Sequence, residues 1–426
     1  MIVCLIFLEK VLLAMNFDPK FVAWINLLHS GANTILLLNF LSDPINVNFS
    51  VRQGDCLAML LYIIYDEPLL LRIEEVVSGY KLCAPVRGQI ATEDVEGATE
   101  DLEAYVDDKE IVVTNDSEFV VIDYIISLFE KLSGALLNRD RKSKVIGIGL
   151  WRGREDWPLP WLSSVPHIKV FGFILHPSYS SMIQLNWEDQ LSKFNKTLYS
   201  WADRAIDSVF DRAEIVRTFA LSKVWYRAQV LPLPKSWAKK FESSISNYLW
   251  KGKQFKNLLS MESICQPCEN GGLNLPYLRA KCDALLIKQM LRMLVSRRGW
   301  FDHLIFWIND VICLDGYPTF IHLQKERTGN YKQKRCIYFD YLAELYSEAK
   351  LCERFSVDSP NSATTKLLYS SLTETMPPHP VTLRYPDRDF SLSWKRLCNG
   401  VLGKTAKNSL FLLVYDSLKL ESQAIA

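Results

Sequence analysis

The hydrophobic pattern of this chain changes near residue 187, and the change limits the folds that the chain can adopt. Before that point, segments with the 3.6-residue period of helices alternate with segments of two-residue period that are typical of strands. Residues 187–250 are helical in period almost throughout, and helical periodicity also dominates residues 279–350. The sequence therefore predicts an α+β region followed by a helical region.

The composition is that of an ordinary globular protein. The 426 residues are 49% hydrophobic and 23% charged, which excludes a largely disordered or fibrous chain. A chain of this length is expected to form two to four domains of about 150 residues. The ten cysteines are irregularly spaced, so we expect reduced thiols and an intracellular protein, with nucleus and cytoplasm both open. The longest apolar run, Cys56–Tyr65, is too short for a bilayer, which requires about 20 residues, so we expect no membrane association.

Charge is distributed unevenly, although the formal net charge is only +1. Residues 91–130 contain thirteen acidic residues and a single base, Lys109, whereas residues 193–256 contain thirteen bases and five acids. An acidic zone of this kind suits a divalent metal ion, and a basic zone suits the phosphate backbone of a nucleic acid. The alternative is that both zones are solvated helix faces.

Residues 102–114 carry the pattern of a β-hairpin. Leu102, Ala104 and Val106 alternate with polar residues, the turn is predicted at Asp107–Asp108, and the chain returns from Glu110. Two adjacent carboxylates between apolar strands are costly unless a cation offsets them, and Mg²⁺ prefers carboxylate oxygens with substrate phosphates. Asp-Asp is also a common turn dipeptide, so a purely structural interpretation stays open.

A VRQGD segment precedes a helix that is predicted over Leu57–Ile73. Gly54 lets the backbone approach a ligand closely, and Gln53 can both donate and accept hydrogen bonds. Arg52 can pair with a phosphate group. The structural alternative is a helix-entry loop in which Asp55 caps the helix.

Boundary signals refine the prediction at other points. Pro19 is expected at the first position of a helix, and Asp116 is expected to cap a helix that ends before Gly134. Residues 165–175 are predicted to form a strand pair, and residues 355–390, rich in Ser, Pro and Asp, an irregular connection.

Cys265 and Cys268 have the spacing of half a zinc site. No second CxxC or HxxxH pattern follows, and Cys282 is the candidate third ligand. The alternative is that these are ordinary core cysteines.

Several of these motifs occur in one order along the chain. They are VRQGD at 51–55, YVDD at 105–108, SG with Asn138 and KS over 133–143, and IKVFG at 168–172. The order continues through ALSKVWY at 220–226, QVLPLP at 229–234, YLWKG at 248–252 and GGLNLP at 271–276. This set resembles the reverse transcriptase of LINE-type, non-LTR retrotransposons. The resemblance covers about residues 7–300 and, more weakly, residues 393–420.

The resemblance implies an α+β right-hand polymerase. Its palm and fingers would hold an incomplete antiparallel sheet with helices, followed by a helical thumb and a helical C-terminal extension. The implied domains are partial fingers and palm at 1–164, a hairpin like the primer grip at 165–186, the thumb at 187–260 and the extension at 261–426.

The resemblance also implies roles for individual residues. Asp107 and Asp108 would be catalytic and would bind the two Mg²⁺ ions of the family. The residues that would bind the template or the incoming nucleotide, or assist the leaving pyrophosphate, are Arg52, Gln53, Gly54, Tyr105 and Lys142. Phe171 and Gly172 would belong to the primer grip. The implied partners are an RNA template, a DNA primer or RNA–DNA hybrid, and a deoxynucleoside triphosphate, with the oligomeric state left open.

The family carries another catalytic aspartate in a strand just upstream of the helix that Phe7–Val11 resembles. This chain begins at Met1, after that point, so we expect an N-terminally truncated homologue with little or no RNA-templated DNA synthesis. One alternative is a non-catalytic nucleic-acid-binding remnant of a retroelement. The other is an unstable product with no function.

Overall fold

The computed structural model describes residues 4–29, 32–34, 43, 45–47, 56–82, 98–100, 102–105, 108–136, 139, 143–204, 206, 208–251, 259–296, 301–312, 336–348, 363–374, 380–399, 403 and 406–412. These residues form two compact units, with the division between Ser178 and Tyr179. That division falls inside the segment 165–186 that the resemblance treats as a separate hairpin.

The first unit alternates helices with short strands, as predicted. Its helices are α1 (Leu5–Ala14), α2 (Pro19–His29), α3 (Ala58–Glu74) and α4 (Asp116–Ser133). Its described strands form two-stranded pairs: β1 (Ala32–Thr34) with β2 (Ile45–Val47), β3 (Tyr80–Leu82) with β4 (Ala98–Glu100), β5 (Leu102–Tyr105) with β6 (Asp108–Ile111), β7 (Lys144–Val145) with β8 (Ser163–Ser164), and β9 (Ile168–Val170) with β10 (Phe173–Leu175). The β7–β8 pair is parallel, and the others are antiparallel.

Local signals explain where the helices of the first unit begin and end. Pro19 is the first residue of α2. The backbone N–H at this position has no partner within a helix, so proline, which lacks an N–H, loses no hydrogen bond there. Gly134 has φ +74° after α4, a left-handed conformation that a glycine adopts without steric cost. The predicted cap Asp116 is wrong by one residue: Asn115 caps α4, and its Oδ1 accepts the N–H of Glu118 at 3.1 Å.

The apolar faces of α1 to α4 share one core, with Tyr65 of α3 at its centre. The Tyr65 ring packs edge-on against Phe7 and Phe129, with centroids 5.2 and 5.8 Å away. Its hydroxyl donates a hydrogen bond of 2.7 Å to the carbonyl oxygen of Ser133. Because both the ring and the hydroxyl of Tyr65 are satisfied, this residue fixes α3 against α4.

The described residues of the second unit are almost wholly helical. Its helices are α5 (Tyr179–Ala202), α6 (Val209–Ile215), α7 (Ser222–Ala228), α8 (Lys235–Leu249), α9 (Met261–Cys265), α10 (Leu278–Ser296), α11 (Phe301–Ile312), α12 (Ile337–Glu348), α13 (Thr365–Thr373), α14 (Pro380–Arg384) and α15 (Ser391–Asn399). Residues 406–412 are also helical. The helical prediction for residues 187–250 is therefore confirmed.

The predicted irregular connection over residues 355–390 is wrong where α13 and α14 lie. Thr364 caps α13 by accepting the N–H of Leu367, and Leu368 is fully buried in the core with α10 and α12. Long-range burial thus stabilises a helix that the local Ser and Pro content disfavours.

A π-helical turn, Val216–Ala220, separates α6 from α7. It places an extra residue between the buried Arg212 of α6 and the buried Arg227 of α7.

Trp187 of α5 is fully buried in the same unit, and its Nε1 donates a hydrogen bond of 2.9 Å to the carbonyl oxygen of Pro232.

No helix within the described ranges is both long enough and apolar enough to cross a bilayer.

Candidate functional site

The predicted β-hairpin around YVDD is confirmed, and its pairing register is defined. Leu102 faces Ile111, and Tyr105 faces Asp108 at the end of the paired strands. The return strand therefore begins at Asp108, rather than after a turn at Asp107–Asp108. Asp107 itself lies outside the described residues.

A partly buried ion pair attaches this hairpin to the core. The Nζ atom of Lys109 in β6 lies 2.5 Å from Oδ2 of Asp66 in α3, and the Asp66 side chain is only 5% exposed. The ammonium group also lies 6.0 Å from the centre of the Tyr62 ring, also in α3. Burial raises the pKa of Asp66, and the hydrogen bond from Lys109 partly opposes this increase.

The segment after β6 is fixed by Glu118 on α4, whose side chain is buried. Its carboxylate accepts the backbone N–H of Thr114 at 2.9 Å and that of Ser78 at 3.0 Å. Burial raises the pKa of Glu118, but these hydrogen bonds outweigh it and leave the pKa below its usual value. The hairpin is thus anchored both beside Asp108 and at its far end.

Most of the other residues implied to bind template or nucleotide lie in parts of the chain that the structure does not describe. Arg52, Gln53, Gly54 and Lys142 lie outside the described residues. The backbone of Tyr105 is defined by its pairing with Asp108.

The strand pair predicted at 165–175 is confirmed as the β9–β10 hairpin, in which Val170 faces Phe173. Both turn residues are left-handed, with φ +44° at Phe171 and +86° at Gly172. Positive φ at both positions is typical of a type I′ turn, whose twist matches that of the strands. Phe171 is an unusual residue for this conformation, because a bulky side chain there is strained.

Two groups can be distinguished among the described bases of the segment 193–256. Arg212 and Arg227 are buried and belong to the core of the unit: Arg212 donates to the carbonyl oxygens of Leu249 at 2.6 Å and Ile206 at 2.9 Å. Arg227 donates to the carbonyl oxygen of Asn186 and to the carboxylate of Asp189. These two bases stabilise the fold and are not available to a nucleic acid.

A second group of bases lies at the surface of α5 and α8. Its exposed members are Lys193, Lys196, Lys235, Lys239 and Lys240, of which Lys193 pairs with Asp189. Lys240 lies 3.7 Å from the centre of the Trp237 ring. A lysine beside an aromatic ring combines a phosphate contact with a stacking surface.

Within the described ranges, no group of three or more His, Cys, Asp or Glu side chains could hold a metal ion. Adjacent carboxylates at Asp107 and Asp108 have the donor chemistry that Mg²⁺ prefers. Burial raises the pKa of Cys265 and Cys282, which disfavours the thiolate form that zinc requires.

Sequence reasoning missed Asp66 as the partner of Lys109. Two signals point to it in retrospect. The first is that Asp66 directly follows the buried Tyr65 on α3, and a buried carboxylate requires a partner. The second is that Lys109 is the single base of the acidic zone.

No family model matches this chain. The chain is similar to the transposon TX1 uncharacterized 149 kDa protein of Xenopus laevis, with 24% identity over 302 residues. The match covers 68% of this chain and 21% of that protein, so the chain spans about a fifth of the relative's length. The similarity agrees with a transposon origin.

Proposed function

We propose that this chain is a retroelement-derived reverse transcriptase homologue that carries out at most weak RNA-templated DNA synthesis. The main support is the β5–β6 hairpin, whose register sets Tyr105 opposite Asp108 at the end of the paired strands. Asp107 and Asp108 would hold Mg²⁺, which stabilises the charge that develops on a phosphoryl group during transfer.

The chain's own residues would orient this site. The ion pair between Lys109 and Asp66 holds β6 against α3 next to Asp108. Glu118 holds the residues after β6 through the N–H of Thr114. A site that must keep carboxylates in a fixed geometry requires this kind of support from rigid elements. Phe171 and Gly172 would form the turn of the primer grip.

Primer extension tests the proposal directly. The full chain is incubated with Mg²⁺, deoxynucleoside triphosphates and a labelled DNA primer on an RNA template. We expect weak extension that depends on the RNA template, and Asp107→Ala should reduce its rate by at least about 100-fold, because a metal ligand is lost. The control is Asp156→Ala, which also removes one carboxylate but at a side chain that is 97% exposed.

Circular dichroism checks that both variants are folded. Absence of extension by the folded chain would refute the catalytic proposal, and so would equal rates for the two variants.

A second candidate function is nucleic-acid binding without catalysis. The exposed lysines of α5 and α8 support it, because exposed lysines can contact a phosphate backbone in a sequence-independent way. This function requires no metal site.

Salt dependence of binding separates this second function from non-specific adhesion. The logarithm of the binding constant of the full chain for an RNA–DNA hybrid should fall linearly with the logarithm of the salt concentration. Replacing Lys235 and Lys239 by Gln should reduce that slope by about 1 to 2, since each contact releases about one counterion. The control replaces the exposed Arg292 and Lys366 by Gln and should leave the slope unchanged.

A further inference from the structure

Helix α4 carries apolar residues on two sides. Ile122, Ile125 and Phe129 lie on the inner side and belong to the core of the first unit. The second side presents an outer stripe, defined as Val120, Tyr124, Leu128 and Leu132, whose residues are between 45% and 68% exposed. A helix that is apolar on more than one side is typically buried on each of them. The outer stripe is therefore a candidate contact surface, and it lies wholly within the first unit.

The members of the outer stripe are spaced by four residues throughout. Side chains four residues apart are neighbours on a helix surface, so the stripe is a continuous ridge. A ridge of this spacing fits the groove beside the same ridge of another helix, with the two helix axes crossing at about −50°. A second copy of α4 supplies such a ridge. The stripe is therefore complementary in shape to itself.

The charges beside the outer stripe lie on one flank. Between residues 119 and 132 the charged residues of α4 are Asp123, Glu130 and Lys131, and all three line one open groove. Arg139, in the same groove, pairs with Glu130 at 2.7 Å. The Asp123 side chain remains 32% exposed, and Lys131 is exposed. This flank therefore presents an acid in the N-terminal half of the helix and a base in the C-terminal half.

The order of these charges favours an antiparallel pair of α4 helices. A two-fold axis midway between Tyr124 and Leu128 sets Tyr124 of one copy against Leu128 of the other. In an antiparallel pair the same flank of both helices meets, so Lys131 of each copy approaches Asp123 of the other. In a parallel pair this flank would instead face the other flank, which carries none of the three charges. Complementary charge therefore selects the antiparallel arrangement.

We propose that the outer stripe of α4 binds the outer stripe of a second copy of this chain, with the two helices antiparallel. The resulting dimer is symmetric, and each copy contributes the same surface. Because the stripe is narrow, we expect an interface below about 1,200 Å² in total, which is the size typical of transient complexes. The dimer requires neither a metal ion nor a nucleic acid, so it does not depend on the functions proposed above.

Sedimentation equilibrium of the full chain across the micromolar concentration range tests the proposal. We expect a reversible equilibrium that saturates at twice the mass of one chain. Leu128→Arg should raise the dissociation constant by at least about tenfold, because two like charges then meet near the two-fold axis. The control is Leu71→Arg, which places the same charge at a leucine of α3 that is 49% exposed, and it should leave the constant unchanged. Circular dichroism checks that both variants are folded.

Charge exchange between two variants tests the antiparallel arrangement. Lys131→Glu and Asp123→Lys should each weaken self-association, because either change leaves like charges on the flank where the two copies meet. An equal mixture of the two variants should form heterodimers at least about tenfold more tightly than either variant forms homodimers, because opposite charges then meet at both ends of the interface. Sedimentation of the mixture and of each variant alone measures this preference.

Three results would overturn the inference. One is a chain that unfolds cooperatively and stays monomeric at every concentration; if its Leu128→Arg variant also binds an RNA–DNA hybrid less tightly, the stripe contacts nucleic acid instead. Another is a dimer that Leu128→Arg and Leu71→Arg weaken equally, since the contact would then not be specific to α4. The third is a mixture of the two charge variants that shows no preference for heterodimers.

Discussion

Lys109 of β6 and Asp66 of α3 form an ion pair in which Nζ lies 2.5 Å from Oδ2, with the lysine side chain 20% exposed and the aspartate 5%. Lys109 is the single base within residues 91–130. Its charge offsets a carboxylate outside that zone. Other groups therefore offset acids of the zone: Arg154 pairs with Asp116, Arg139 pairs with Glu130, and backbone N–H groups hold Glu118.

Removing Lys109 should destabilise the first unit strongly. Lys109→Met leaves Asp66 buried without its cation, and we expect a loss of about 3 kcal/mol in the free energy of unfolding. The control is Arg72→Met on α3, the helix that also carries Asp66. The ion pair of Arg72 with Glu75 is exposed and should contribute less than about 0.5 kcal/mol. Hydrogen exchange of peptides from α3 and β6 in rising urea measures both. Equal losses would show that the Asp66 pair is not a buried anchor.

The cost of Lys109→Met should depend on pH. Burial raises the pKa of Asp66 in the folded state, and loss of Lys109 raises it further. A carboxyl group with a raised folded-state pKa favours the folded state below the unfolded pKa of about 3.9, and that contribution is lost as the pH rises through the folded-state value. The substitution should therefore cost less at pH 4 than at pH 7. The same comparison made on an Asp66→Asn background should show no pH dependence, and a constant cost in the single variant would contradict the assignment.

Two bases that share one carboxylate should differ in their contributions to stability. Arg227 and Lys193 both donate to Asp189, but their side chains are 3% and 45% exposed. Arg227→Met should cost about 3 kcal/mol, whereas Lys193→Met should cost about 0.5 kcal/mol or less. Urea unfolding followed by hydrogen exchange of α5 and α7 checks this. A larger effect for Lys193 would place the stabilising charge at the surface.

The pKa of Asp189 makes the stability contributed by its contacts with Arg227 and Lys193 depend on pH. Burial raises that pKa, but the hydrogen bonds from Lys193 and Arg227 lower it by more. The stability that Asp189 contributes is then present above its unfolded pKa and is lost as the pH falls through the lower folded-state value.

A comparison of two glycines isolates the cost of backbone strain, because a side chain at either position would meet no steric clash. A methyl group at either Gly134 or Gly403 would meet no atom within 4 Å, but only Gly134 has a positive φ, of +74°. Gly134→Ala should therefore cost about 1 kcal/mol, and Gly403→Ala should change stability by less than about 0.5 kcal/mol. Thermal unfolding of the two variants measures the difference. Equal effects would argue against the left-handed end of α4.

Thiol labelling should distinguish two cysteines that lie close in sequence. Cys265 is buried and its pKa is raised by burial, whereas Cys268 is half-buried. Iodoacetamide should modify Cys268 at least about tenfold faster than Cys265 in the native chain, because the thiolate is the reactive form. Peptide mass spectrometry follows both sites. Protection of both cysteines that a chelator abolishes would instead support a zinc site.

The sequence predicted most of the elements that position the candidate site. Alternation around Ala104 identified the β5–β6 hairpin, and the β-type pattern of residues 165–175 identified the β9–β10 strand pair. Both signals are local, so they are visible in a single sequence. The N-cap of α4 was misplaced because Asn115 and Asp116 are chemically equivalent caps, and the long-range bond from Ser78 to Glu118 was not visible.

Features that depend on contacts between distant residues could not be predicted. Lys109 and Asp66 meet only after α3 and the hairpin pack together. The burial of Arg212 and Arg227 was missed because a charge count treats every base as exposed. Helix α13 was missed because its stability comes from Leu368 in a distant core.

The π turn at Val216–Ala220 makes this part of the chain tolerant of one change in length. Because the turn accommodates its extra residue locally, removing one residue from it should give a regular helix that keeps Arg227 beside Asp189 and Val224 in the core. Removing one residue from the regular helix α7 would instead rotate the residues after it by about 100°. A single-codon deletion in α7 should therefore disrupt the unit more than the same deletion in the π turn.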